Sequence, residues 1–490
     1  MRRLLCGILA VVCVLTAVGC SSTVPTPSPS SSAPVSPTPS EELKNFALPY
    51  SKEDTLNPYA ATTEVNAQLA GLLYDSLTVI DEAFMPQLSL AASVTQTDVT
   101  HVVVTLRQGA KFSDGTAVTS ADVKASFDTA RKSEQYKELL KNVAACAVDR
   151  KSGALTFTLS QGDPNAAACL CFPVLKSGKN TTKAGEAPLG GGIYKYTVTD
   201  NGAVLTANPH YGKTPRYATV QLRHLPNPES MYSGLGAGNI TYYYNDLSSG
   251  DVPRVSGASA KVDMNALVYL GVNSSRGIFS QSAVRRALSL AFDRAAIAST
   301  AHSGWTIAAT LPFHPKWGVV RQTSPLFGGQ DLTAAAAAIT AVSKKPTAEL
   351  IYSLDSGNRG ALVDAVRTQL EATGIRLTVT PLSYEEYMAR LQSGNYDLYI
   401  GEIRFGANMD LSPMFTGAAR YGVAADSASA AAYTRYRAGE QTLQEFLTAF
   451  AEDMPYIPLV WRCGFVGYDR RLLTVTPHGY DPYYGIATWQ

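Results

Sequence analysis

Apolar positions along this chain recur with two periods, and the change between them marks its organisation. In residues 100–106, Val102, Val104 and Leu106 alternate with polar neighbours, which predicts a strand. Residues 107–112 turn and return, and Ser113-Asp114-Gly115 is a second turn. Thr119 and Asp122 have capping-box spacing and open a helix with Val123, Phe127 and Ala130 inward. Residues 154–159 alternate again. After Gly190-Gly191-Gly192, residues 193–198 and 203–207 flank Asn201-Gly202, a strong hairpin signal.

The second half changes to helical spacing. Ser282 starts a predicted helix with Val284, Leu288, Ala291 and Ala295 on one face, and the Ala-rich residues 333–341 predict another. A regular alternation follows. Residues 348–354 read as a strand. Residues 360–373 read as a helix with Leu362, Val366 and Leu370 inward, stopped by Gly374. Ile375, Leu377 and Val379 mark the next strand. Ser383 and Glu386 cap a helix carrying Tyr387 and Leu391 and ended by Gly394, and residues 396–400 form a third strand. This β-α-β-α-β run predicts a wound α/β unit with right-handed crossovers. In such sheets ligands bind beyond the carboxyl ends of the strands. Residues 401–410 lie there, so Glu402, Arg404, Asn408 and Asp410 are candidate cleft residues.

Composition narrows the class. The chain has 490 residues, enough for two to four domains, and 46% are hydrophobic. Lys plus Arg is 41 against 40 Asp plus Glu, which argues against a nucleic-acid partner. Arg2 and Arg3 precede an apolar run over residues 4–19, too short to span a membrane and fitting a secretory signal. The run ends at Ala17-Val18-Gly19-Cys20, which resembles a bacterial lipobox with Cys20 as the lipidated residue. An ordinary cleaved signal is the alternative. Residues 21–40 hold 17 Ser, Thr or Pro in 20 and read as an extended tether. Of seven cysteines, Cys146, Cys169, Cys171 and Cys463 would remain in the folded body. The expected bridge joins Cys146 to Cys169 or Cys171, with four buried thiols as the alternative.

Catalytic motifs are missing. There is no G-x-S-x-G elbow, no H-E-x-x-H and no phosphate loop. The six histidines, at 101, 210, 224, 302, 314 and 478, are scattered and read as surface residues rather than metal ligands. No enzyme activity, metal or cofactor is expected.

Several stretches together resemble one family. Leu56-Asn57-Pro58-Tyr59 is similar to the opening motif of the family 5 extracellular solute-binding proteins of ABC importers. Met85-Pro86-Gln87-Leu88, then Lys111-Phe112-Ser113-Asp114-Gly115 leading to Ala121-Asp122-Val123, resembles their signature block. Gly191-Gly192-Ile193-Tyr194 and Leu235-Gly236-Ala237-Gly238-Asn239-Ile240 match more loosely. The helix from Val284 to Arg294 and Met454-Pro455-Tyr456-Ile457-Pro458-Leu459 match well.

The resemblance implies an α/β, two-lobed, periplasmic-binding-protein-like fold of type II, cluster C, with an extra subdomain in the first lobe. The expected division is 1–20 signal peptide, 21–44 tether, 45–75, 188–265 and 460–490 lobe I, 76–187 inserted subdomain and 266–459 lobe II. It implies a peptide-capturing subunit that delivers to a membrane permease driven by ATPase subunits. A receptor for a nickel chelate or another small solute, and a peptide-sensing receptor without transport, are the alternatives. A monomer anchored outside the cytoplasm through Cys20 is the default. Peptide binders of the family carry an Asp that pairs with the peptide's amino group, and Asn408 stands at that position. Asp410 or Glu402 would have to substitute, and Arg404 is placed to hold a carboxylate or to pair with Glu402. Tyr50, Tyr243 and Asn273 are further cleft candidates, each with a packing or turn role as the alternative.

Overall fold

Two long antiparallel strands, residues 258–272 and 456–468, organise the molecule. The computed structural model describes residues 43, 45–225, 227–248, 252–355, 359–417 and 420–489. The seven-stranded sheet comprises β1 (Tyr242–Asn245), β2 (Ala258–Val272), β3 (Thr306–Ala308), β4 (Thr347–Ser353), β5 (Arg376–Leu382), β6 (Leu398–Arg404) and β7 (Tyr456–Tyr468). Its order is β1-β7-β2-β6-β4-β5, with β3 also paired to β7. β4 runs parallel to β5 and to β6, as the wound unit requires, and the other pairs are antiparallel.

The helices of the wound unit form where the pattern puts them. α1 (Gly360–Glu371) buries Leu362, Val363, Val366 and Leu370. α2 (Tyr384–Ser393) starts at a Ser383–Glu386 capping box and ends at Gly394, whose φ of 69° suits a residue without Cβ. Two expectations need correction. The third strand runs to Arg404 rather than to residue 400, because the long β2 keeps offering it partners, as far as Ala266 opposite Arg404. The helix from Ser282 ends at Leu290, and a second one covers Arg294–Thr300. Asp293 breaks the run, since its side chain caps the second helix at Ala296 N–H.

Two further four-stranded sheets lie earlier in the chain. One orders Phe46–Tyr50, Thr219–His224, Gly202–Ala207 and Tyr194–Thr199. The other orders Ala91–Asp98, His101–Leu106, Leu155–Leu159 and Val143–Val148. One large apolar core serves the wound unit, and a second joins both smaller sheets. The four cysteines are free, so the expected bridge is absent. Cys146 and Cys169 pack as apolar side chains inside the second core, and Cys171 packs against the first. Leu43, expected within the tether, is buried in the second core. The signal segment, Cys20 and the rest of the tether lie outside the described residues.

Reciprocal packing stiffens the sheet under the wound unit. Tyr269 of β2 lies opposite Gly401 of β6, and Gly271 lies opposite Tyr399. Each ring covers the glycine across from it, so closely that a Cβ on Gly271 would lie 1.9 Å from the Tyr399 ring. Both rings are buried. This face of β6 is therefore filled, and alternate residues Glu402 and Arg404 project on the other.

Candidate functional site

The carboxyl ends of β4, β5 and β6 open onto a cleft of about 560 Å³. Asp355 and Arg359 line it from the segment after β4, and Tyr384 from the start of α2. Glu402 and Arg404 come from β6, Arg462 from β7, and Leu247 and Ser248 from the segment after β1. His302 completes the wall. Register explains the convergence. Ala266 of β2 pairs with both Arg404 and Arg462, so these arginines flank a methyl group, and Glu402 sits two residues along the same face.

Glu402 is held at both oxygens. Arg462 Nε donates to its Oε1 at 2.9 Å, and an Arg359 terminal nitrogen donates to Oε2 at 3.0 Å. Burial opposes ionisation of Glu402, but the two guanidiniums outweigh it and hold the carboxyl below its ordinary range. Arg404 reaches the Asp246 carboxylate at 3.4 Å and the Gly479 carbonyl at 2.9 Å. His302 has a left-handed backbone, φ 47°, and burial pushes its imidazole down to about 4, with Arg462 and Arg359 acting in the same direction. Among the described residues neither His302 Nε2 nor Arg359 Nε has a hydrogen-bond partner.

The seven sequence candidates separate. Glu402 and Arg404 line the cleft. Asn408 and Asp410 join a different cluster. Asn408 Nδ2 donates to Asp163 at 2.6 Å, while Arg437, on α3 (Ala428–Arg437), pairs with Asp410 and lies 3.7 Å from Asp163. Arg437 Nε also donates to the Gly162 carbonyl at 2.6 Å. Tyr50 ends its strand packed edge-on against His224. Tyr243 accepts from Asn245 at 3.0 Å. Asn273 Nδ2 donates to the carbonyls of Gly394 and Tyr396, both at 3.1 Å, and so ties a crossover turn. None of these last three lines the cleft. Sequence reasoning missed Arg359, Arg462 and His302. Arg359 follows the first strand of the wound unit as residues 401–410 follow the third strand in the sequence reading, and that parallel was a usable signal. Nothing local marks Arg462 or His302.

The histidine expectation is half wrong. His302, His314 and His478 are buried. The rings of His314 and His478 pack as aromatic bodies against Phe84, Trp461, Tyr480 and Tyr484, whereas His302 is buried beside the charged cleft residues Arg359, Glu402 and Arg462. His314 lies 4.8 Å from Phe84 and 5.1 Å from Trp461 between ring centroids. Burial pushes its imidazole from 6.5 to about 4, with Asp263 and Lys316 the charged groups nearby. The unfolded chain therefore takes up a proton near pH 6.5 that the folded chain refuses until about pH 4. The contribution is complete above that upper value and is lost as pH falls through the window. A His314→Phe variant should show a shallower loss of stability with acid, by up to ~3 kcal/mol, in urea unfolding between pH 7 and 4. Equal slopes in both proteins would refute the assignment.

The sequence profile of the bacterial extracellular solute-binding proteins, family 5 middle region, matches residues 85–422. The oligopeptide-binding protein AppA of Bacillus subtilis is 27% identical over 299 residues, 54% of this chain and 52% of that protein. The probable D,D-dipeptide-binding periplasmic protein DdpA of Escherichia coli is 26% identical over 324 residues, 61% of each. The alignments thus cover between half and two thirds of these relatives' lengths. Among solved structures, the unliganded open form of the murein tripeptide-binding protein MppA superposes with a TM-score of 0.72 at 18% identity, over 87% of this chain and 94% of that one. NikA from Brucella suis, in complex with Fe(III)-EDTA, gives 0.67 at 19%, over 91% and 100%. These likenesses establish a periplasmic-binding-protein-like fold.

Proposed function

Because the chain belongs to the bacterial extracellular solute-binding proteins of family 5, and is thus a binding protein rather than an enzyme, we propose that it captures peptides for an ABC importer. The cleft beyond the carboxyl ends of β4, β5 and β6 is the observation that carries this reading. Its walls come from the wound unit on one side and from the segment after β1 on the other. An extended peptide there would be held by main-chain hydrogen bonds, which give affinity with little sequence preference.

We also propose closure of two lobes about β2 and β7. The expected lobe boundaries, at 265/266 and 459/460, fall inside these two paired strands. Their register shifts between Asp263 and Ala266 and again between Val268 and Tyr269, which gives a bend a place to occur. Ligand contacts made in the closed form would drive the shift, and the closed protein would deliver to permease and ATPase subunits. Residues 76–187 are read as the inserted subdomain of the first lobe, within a type II, cluster C arrangement. A lipidated Cys20 and the Ser/Thr/Pro-rich tether would keep the protein at the membrane surface. Among the described residues no helix is long and apolar enough to cross a membrane.

Native mass spectrometry of the full-length protein, purified from its own host, tests the reading. Co-purified peptides are the expected result. A clean apo mass, with no thermal shift from a pool of di- to octapeptides, would overturn it in favour of a non-peptide solute.

A further inference from the structure

We propose that Phe84, on the inserted subdomain, fixes the angle at which the two lobes meet and so sets ligand affinity without touching ligand. This rests on the two-lobed reading above and names a positioning residue for it. Phe84 is not among the residues that line the cleft.

The first argument is where the ring is planted. Residues 76–187 place Phe127, Phe157 and Phe172 in the core shared by the two smaller sheets. Ile80, Phe84 and Ala168 belong instead to the core of the wound unit. Phe84 stands in the tight turn between the paired strands Thr78–Ile80 and Pro86–Leu88. Asp81 builds that turn. Its carboxylate accepts the N–H groups of Ala83 at 2.9 Å and Met85 at 2.8 Å, and its carbonyl accepts Phe84 N–H at 2.9 Å. Phe84 has a φ of 54°, left-handed backbone that a residue with a Cβ rarely adopts. Such a conformation persists where the surroundings over-determine it. Here it comes with complete burial of the ring, 0% exposed.

The second argument is what the ring touches. His314, Tyr480 and His478 lie 4.8, 5.8 and 6.3 Å from it between centroids, each crossing it edge-on. His314 falls in the expected second lobe, and His478 and Tyr480 fall in the first. One ring of the inserted subdomain thus bears on both. The backbone repeats the contact, since Gly318 N–H donates to the Ala83 carbonyl at 2.8 Å.

The third argument is where these partners sit. Asn265 lies in the register gap between Asp263 and Ala266 of β2, where the bend is placed. Its amide donates to the Tyr480 hydroxyl at 2.9 Å, and that hydroxyl donates to the Phe405 carbonyl at 2.9 Å. Gly479 N–H donates to the Asp263 carbonyl at 2.9 Å, and a Cβ on Gly479 would lie 3.2 Å from Met264 Cα. On the facing strand, Trp461 pairs with Leu267 and lies 5.1 Å from His314 between centroids. The residues that grip Phe84 therefore flank the bend. A close-packed socket permits a few discrete arrangements rather than continuous yielding. Removing the ring frees angles that the socket excludes, and a ligand must then order a broader ensemble, which lowers affinity.

The test uses the full-length protein as wild type, Phe84→Leu and Phe127→Leu. Phe127 is the control: it is also 0% exposed, and it packs within the inserted subdomain on Phe157 at 5.6 Å and Phe172 at 6.0 Å. Small-angle X-ray scattering compares the ligand-free proteins, and calorimetry measures binding of a pool of di- to octapeptides. Both variants are expected to unfold at lower urea. Phe84→Leu alone should change the scattering curve and weaken peptide affinity by about fivefold or more. An unchanged curve for Phe84→Leu overturns the proposal whatever the peptides do. So does a changed curve with unchanged affinity, or an equal change in Phe127→Leu. If no peptide binds the wild type, the peptide reading fails, and the scattering comparison still decides the proposal. Should Phe84→Leu fail to fold, Gly318→Ala takes its place under the same criteria. Its Cβ would lie 2.6 Å from Met85 Cγ and would push the turn off its seat from the other side.

Discussion

An Arg437→Met protein is expected to lose about 3–5 kcal/mol of stability, as broken buried ion pairs do. Arg437 is 6% exposed and Asp163 is 2% exposed, so both charges are out of water. The guanidinium pairs with Asp410, lies 3.7 Å from Asp163, and bonds the Gly162 carbonyl and the Ser412 hydroxyl. Burial already pushes the Asp163 carboxyl up, and Arg437 is the main influence opposing it. Without the arginine, two carboxylates remain with no cation between them, and Asp163 takes up a proton more readily. A folded-state pKa raised above the unfolded value gives stability at low pH that is lost as pH rises. The gap between Arg437→Met and wild type should therefore be small near pH 4 and grow towards neutrality. Adding Asp163→Asn to Arg437→Met should recover part of the loss. Chemical unfolding at three pH values measures all of this. A pH-independent loss below about 1 kcal/mol, the range of an exposed pair, would show that the cluster carries no buried charge.

That cluster also shows where sequence reading reaches its limit. Local signals were strong for the wound unit, because caps, glycine stops and apolar periods are properties of a few neighbouring residues. The capping boxes at Thr119 and Ser383, the hairpin at Asn201-Gly202 and the parallel strands all stand in the structure. The end of β6 was not local. Its extension to Arg404 depends on β2, more than a hundred residues earlier in the chain. The same extension moved Glu402 and Arg404 from a loop to a strand face, where pleating and not loop shape sets their direction. Asn408 and Asp410 were read as cleft residues because they follow a strand. Their partners, Asp163 and Arg437, lie on segments that no local pattern links to residue 408. Arg462 escaped for the same reason. Arg462 is an interior residue of β7 and reaches the cleft only because β3 and β2 flank it on either side.

Glu402→Gln should be the most informative change in the cleft. Among the described residues, the Glu402 carboxylate is the anion that bridges Arg359 and Arg462. An amide of the same shape can accept one hydrogen bond, but it cannot offset two buried charges. The apo protein is expected to lose about 3 kcal/mol, the low end for a broken buried pair. A purely structural triad would lose that stability whatever the solvent contains. If the arginines also form a carboxylate subsite, removing the internal carboxylate frees them for an external one, and binding to the native state alone adds stability. Succinate at fixed ionic strength should then raise the unfolding midpoint of Glu402→Gln by several degrees more than that of wild type. Chloride at the same ionic strength should not. The variant thus separates two candidate roles of Glu402, closing the cleft floor by bridging Arg359 and Arg462 and standing in for an external carboxylate on them. Equal succinate shifts in the two proteins would leave only the structural role.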